Sequence, residues 1–235
     1  MTKLILALNV ASGPEALFLR DTIGDQVDGY KIGIDLFARV GPELVRQFVA
    51  AGAKVFLDLK FADIPSVVAK AVGAATELGV SMLTVHTMAG APMLAEAVQA
   101  AQTAAQATGK PQPLVLGVTV LTSLDRAGLK QVTGFDQEVP NRVLALAELA
   151  QSVGCAGVVA SPQEIAAIKK RCGPRFVVVT PGIRLGLGTR DDQARTLTPA
   201  QAAAAGADYI VVGRPIYEAP DPLRAIAEIR AQLGG

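Results

Sequence analysis

Short apolar runs recur along the chain about every 25 to 30 residues with helical patterns between them, the spacing of repeated strand–helix units. The runs are KLILALNV, DGYKIGI, AKVFLDLK, VSMLTVH, PLVLGVTVL, CAGVVAS, RFVVVTP and DYIVVGR. Nearly all are continuously apolar rather than alternating, as strands buried on both faces of a parallel sheet are. Between them, GPELVRQFVAAG places Pro42 in a first turn, PMLAEAVQAAQTAAQATG ends at Gly109, and SPQEIAAIKKRCG and TPAQAAAAGAD carry start or stop residues of helices. The pattern predicts an α/β fold, a (β/α)8 TIM barrel. No Pro/Gly/Ser-rich linker divides it, so one domain is expected over residues 1–235.

Composition narrows the partners. Twenty-two basic against 21 acidic residues leave a net charge of +1, and no basic run is long enough to follow a phosphate backbone, which argues against nucleic acid. The apolar runs are far shorter than the roughly 20 residues of a membrane span, and MTKLILALNV lacks a cleavage site, so it reads as a first strand. Cys155 and Cys172 have neither CxxC spacing nor the density of a disulfide scaffold, and are expected as reduced thiols in a cytoplasmic protein.

In a (β/α)8 barrel the active site lies at the C-terminal ends of the strands, and here those ends are polar. Asn9 closes the first run, Lys31 lies in the second, Asp58 and Lys60 close the third, and His86 the fourth. Thr122 and Ser123, then Ser161, then residues 180–184, then Gly213 with Arg214 close the rest. Residues 57–65, LDLKFADIP, are the densest. Strand alternation puts Asp58 and Lys60 on one face and Leu57 and Leu59 on the other. Burying such ions costs several kcal/mol each, about what their pairing recovers at best. Lys31, Asp58, Lys60 and Asp63 together would form a neutral set of two ammonium and two carboxylate groups; read singly, each is as compatible with a structural salt bridge at the barrel mouth.

The seventh connection, PGIRLGLGTRDDQ, joins Gly182, Gly186 and Gly188 with Arg184 and Arg190, and Arg214 follows the eighth run. Barrels bind phosphate there, with glycines admitting close backbone N–H groups and arginine supplying a bidentate clamp. Neither a Walker loop nor a Rossmann fingerprint is present, so no nucleoside triphosphate or dinucleotide cofactor is indicated. His86 is the only histidine and reads as a satisfied interior group, which leaves no Ser-His-Asp triad and no zinc cluster to nominate.

Over nearly its whole length the chain resembles orotidine 5′-phosphate decarboxylases of the bacterial form, through LALNV, YKIG, FLDLKFADIP, VTVLTS, TPGIR, the Asp192–Gln193 pair, TPAQAAAAGADY and VVGRPI. The resemblance implies conversion of orotidine 5′-monophosphate to uridine 5′-monophosphate and carbon dioxide without cofactor or metal. It implies that Lys60 protonates C6, that Lys31 contacts the ribose and orients the charged set, and that Asp58 faces the substrate carboxylate. Asp63 would serve the neighbouring subunit's site in a homodimer, with Ile64 beside it among the substrate-binding positions. Thr122 would line the nucleotide pocket, and Arg184, Gln193, Gly213 and Arg214 the phosphate side. The chain departs from that pattern at Asn9, where the family has aspartate, and at Ala62, Ser66 and Val67. A magnesium-dependent sugar-phosphate decarboxylase or aldolase sharing D-x-K-x-x-D, with Asp58 and Asp63 available to the metal, is the second reading. A catalytically silent phosphate-ligand binder is the third.

Overall fold

A computed structural model describes residues 1–184 and 196–234. Eight parallel strands close into a barrel in sequence order, with β1 (Lys3–Leu8) returning to pair with β8 (Tyr209–Val212). The others are β2 (Gly29–Gly33), β3 (Val55–Phe61), β4 (Met82–His86), β5 (Leu114–Val118), β6 (Gly157–Val159) and β7 (Val177–Thr180). Seven lie within one of the eight predicted runs, and β3 extends one residue past its run, to Phe61.

The described helices are α1 (Gly13–Ile23), α2 (Ile34–Val40), α3 (Pro42–Ala50), α4 (Pro65–Glu77), α5 (Ala91–Thr108), α6 (Arg126–Thr133), α7 (Val139–Ser152), α8 (Ile165–Cys172), α9 (Pro199–Ala204), α10 (Arg214–Tyr217) and α11 (Pro222–Gln232). Their ends follow from local chemistry: Ser12 and Thr198 accept backbone N–H groups at the starts of α1 and α9, and Gly109 closes α5 in the left-handed conformation. The segment SPQEIAAIKKRCG is not one helix. Ser161 Oγ and its carbonyl accept from Gln163 and Glu164, which tightens residues 162–164 into a 3-10 turn before α8 begins.

Two apolar layers form because the strands are apolar on both faces. Leu4, Leu6 and Leu8 of β1 point to the helices, while Ile5 and Ala7 meet Phe56, Met82, Leu116, Val179 and Val211 in a separate inner cluster. Close strand approach is decisive at Gly157, where a Cβ would lie 2.1 Å from the Val177 carbonyl oxygen.

Two aspartates brace the opposite end of the barrel. Asp28 accepts from Leu4 N–H and pairs with Arg230, and Asp208 accepts from Val178 N–H and Lys169 Nζ. That leaves the C-terminal ends of the strands for chemistry. No described helix is long and apolar enough to cross a membrane.

Candidate active site

The inner face changes character along the barrel axis. Phe56 and Met82 sit in the inner apolar cluster, and two residues further along each strand come Asp58 and Thr84. From β2, with Tyr30 and Ile32 committed to the outer core, Lys31 faces the same interior. Its Nζ lies 3.4 Å from Asp58 Oδ2. Gly33 leaves the space this ammonium needs, since a Cβ there would stand 3.0 Å from Lys31 Nζ.

Lys60 also reaches Asp58, with Nζ donating to Oδ1 at 2.9 Å, but regular strand alternation does not carry it there. Its φ is +51°, the only described non-glycine residue in the left-handed region. The β3–β4 pairing runs through Leu57↔Leu83 and resumes at Phe61↔Val85, so four steps along β3 match two along β4. The backbone N–H of Lys60 leaves the ladder and donates to Thr84 Oγ1 at 2.9 Å, and that hydroxyl donates to Asp58 Oδ1 at 3.0 Å. A left-handed lysine costs on the order of 1–3 kcal/mol, which hydrogen bonds to a charged group, about 1.5–3 kcal/mol each, offset.

Burial grades the three charges. The Lys31 and Asp58 side chains are 13% and 12% exposed against 31% for Lys60, so Lys60 presents its ammonium to the open cleft. Burial pulls the Lys31 pKa below its ordinary value, partly countered by the Asp58 charge. For Asp58 burial pushes upward, but Lys31 and Lys60, with the hydrogen bonds from Lys60 and Thr84, outweigh it and hold the carboxyl below the usual range. His86, half-buried on β4, is lowered by burial and then by repulsion from Lys60. Its Nδ1 accepts from Met88 N–H, which leaves the other ring nitrogen as the N–H donor.

The cleft holds about 160 Å3 and is lined by Asn9, Gly33, Ile34 and Asp35 beside the three charges. Asn9 follows β1 directly; its Oδ1 stands 4.0 Å, and Lys31 Nζ 3.0 Å, from where a Gly33 Cβ would be. Gly213 lies next to Ala7 of β1, which brings the Gly213–Arg214 junction to the Asn9 side of the mouth. Thr122 sits half-buried beyond the end of β5, and Arg184 N–H donates to Leu197 O. Gln193, with Gly186, Gly188, Arg190 and Asp192, lies outside the described residues.

Asp63 does not join the charged set within this chain. It is exposed, its Oδ1 accepts from Ile64 N–H at 2.6 Å, and Ile64 and Val67 beside it are 62% and 44% exposed. The three linked charges Lys31, Asp58 and Lys60 carry a net positive charge, and Asp35, on the cleft wall, is ion-paired with Arg39. Among the described residues no cluster of three His, Cys, Asp or Glu side chains is placed to hold a metal. Sequence reasoning missed Thr84. Its one signal was a hydroxyl two residues before His86, on the same face of an otherwise apolar strand.

Residues 2–229 match the model of the orotidine 5′-phosphate decarboxylase / HUMPS family. The orotidine 5′-phosphate decarboxylase of Moorella thermoacetica is 46% identical over 231 residues, covering 98% of this chain and 92% of that protein. The enzyme of the same name from Paramagnetospirillum magneticum is 44% identical over 97% of both chains. The crystal structure of orotidine 5′-phosphate decarboxylase from Lactobacillus acidophilus superposes with a TM-score of 0.87 at 31% identity, over 100% of each chain.

Proposed function

This chain belongs to the orotidine 5′-phosphate decarboxylase / HUMPS family, and from that premise we infer that it decarboxylates orotidine 5′-monophosphate to uridine 5′-monophosphate in pyrimidine synthesis. The observation that carries the mechanism is the Lys60 ammonium, anchored 2.9 Å from Asp58 and the most exposed of the three charges. The bond from C6 to its carboxylate breaks, carbon dioxide leaves, and the electron pair stays on C6. Lys60 stabilises that carbanion and donates the proton that replaces carbon dioxide. Asp58 holds Lys60 in place and faces the departing carboxylate, while Lys31 orients both and contacts the ribose.

Magnitudes rank these effects. Two charges 4 Å apart interact by about 4 kcal/mol at an effective dielectric of 20, whereas demanding enzymes lower barriers by up to ~23 kcal/mol. Repulsion between Asp58 and the substrate carboxylate is therefore a minor part. Stabilisation of charge that develops only in the transition state does most of the work, and phosphate binding at Gly213, Arg214, Arg184 and Gln193 holds the base against Lys60. Thr122 and Ile64 line the pocket.

The same reading makes the protein a cytoplasmic homodimer of one-domain subunits, working without cofactor. Each subunit lends Asp63 to its neighbour's site, which brings the three-charge cluster to neutrality. The exposure of Asp63, which has no ion pair among the described residues, beside exposed Ile64 and Val67 supports this assignment.

Loss of the orotidine absorbance tests the reaction, and turnover is expected to persist undiminished in excess EDTA. Activity abolished by chelation and restored by magnesium would replace this reading with the metal-dependent sugar-phosphate chemistry. Binding of the nucleotide without turnover would leave a silent binder.

Asn9 offers a second check, because its amide keeps the shape of aspartate but not the charge. Asn9→Asp would accept charge-assisted bonds from Lys31 and a ribose hydroxyl, each about 1.5–3 kcal/mol, so kcat/KM should rise roughly tenfold to a hundredfold. The gain should shrink with a substrate lacking that hydroxyl. An unchanged or lower kcat/KM would show that the ribose contact is made elsewhere.

A further inference from the structure

Thr84 is fully buried on the inner face of β4 and its hydroxyl has one proton and two lone pairs, of which the proton goes to Asp58 Oδ1 and one lone pair takes Lys60 N–H. Lys60 Nζ donates to the same Oδ1 at 2.9 Å. The three residues thus form a closed ring: the Lys60 backbone N–H donates to Thr84, Thr84 donates to Asp58, and the Lys60 ammonium donates to the same Asp58 oxygen. It occurs where the β3–β4 register slips and Lys60 turns left-handed, so the backbone N–H has lost its ladder partner. A residue without a hydroxyl at position 84 leaves that N–H unsatisfied, and the strained conformation loses its main restraint.

We propose that Thr84 is a positioning residue for the proton donor, its single hydroxyl locking the left-handed backbone of Lys60 and the Asp58 carboxylate into one unit. This rests on the assignment of Lys60 as the donor. The charged and titratable groups around Asp58 are Lys31 on β2, Lys60 on β3 and His86 on β4, with Asp35 lining the same cleft. None of them supplies a bond to Lys60 N–H. Thr84→Val keeps the shape and removes the hydroxyl; Thr84→Ser keeps the hydroxyl and removes the methyl.

The expected result for Thr84→Val is a kcat reduced about 10- to 100-fold, the loss typical of one hydrogen bond to a charged group, with KM within about threefold of wild type. The acid limb of the kcat–pH profile should move to higher pH, because the carboxylate has lost a donor that favours its ionised form. Thr84→Ser should recover kcat to within about threefold of wild type. Thr84→Ala gives the same readouts should Thr84→Val fail to fold. Wild-type kcat and an unmoved acid limb in the hydroxyl-free variants would overturn the proposal, as would equal impairment of Thr84→Ser, which would reduce Thr84 to packing. NMR titration of the Asp58 carboxyl, assigned with Asp58→Asn, separates this from the functional reading. A raised pKa in Thr84→Val supports the hydroxyl's hold on Asp58 whatever substrate is turned over, whereas an inactive wild type counts only against the decarboxylase reading.

Discussion

Lys60→Ala is expected to lower kcat by on the order of 10³-fold or more at saturating orotidine 5′-monophosphate, since removing a full charge about 4 Å from a developing carbanion forfeits about 4 kcal/mol even at a dielectric of 20. Binding of uridine 5′-monophosphate, followed by calorimetric titration, should survive, because the ammonium is assigned to the transition state and not to the phosphate. Arg214→Ala provides the contrast. Arg214 opens α10 and is assigned under the proposed function to the phosphate, so its loss should raise KM and weaken binding of the monophosphate strongly. A Lys60→Ala variant retaining kcat within about tenfold of wild type would remove Lys60 from the proton-transfer step.

The second large effect is a recovery. Lys60→Ala and Asp63→Ala should each be nearly inactive alone, yet mixing them under conditions of subunit exchange should restore activity. In a two-fold symmetric dimer with Asp63 acting across the interface, each heterodimer has one site with both defects and one with neither. With random exchange half the dimers are mixed, so activity should approach about a quarter of the wild-type value per site. Labelled subunits would establish that exchange occurred. Exchange without recovery would place Asp63 in its own subunit's site or outside catalysis, and would leave the positive Lys31–Asp58–Lys60 cluster to be neutralised by the substrate alone.

The strands and the charges on their inner face were legible in the sequence because both are short-range properties. An apolar run of β-branched residues buried on both faces reads as a parallel strand wherever it lies, and an aspartate and a lysine two residues apart near its end stand out by composition alone. The barrel followed from the count and spacing of the runs, and Lys31, Asp58 and Lys60, picked out near the ends of their strands, lie within ion-pair distance of one another through Asp58. The expected four-membered set fared differently. Three members meet within the chain, and Asp63, only three residues beyond Lys60, turns to its neighbour's N–H and faces solvent. Distance along the chain carried no information about that, because α4 begins at Pro65 and redirects the backbone.

Alternation assigned Lys60 to the correct side for an incomplete reason. What brings its ammonium to Asp58 is a left-handed residue inside a register slip, and both exist only relative to β4. Thr84 was missed for the same cause: a threonine in an apolar strand is ordinary until pairing sets it against Asp58 and the displaced Lys60 N–H. Residue type and periodicity, being local, thus determined which elements form and which charges they carry. The offset between neighbouring strands, set by closure of the whole barrel, decided which of those groups touch, because hydrogen-bond geometry is satisfied over a few tenths of an ångström and sequence spacing does not resolve that scale.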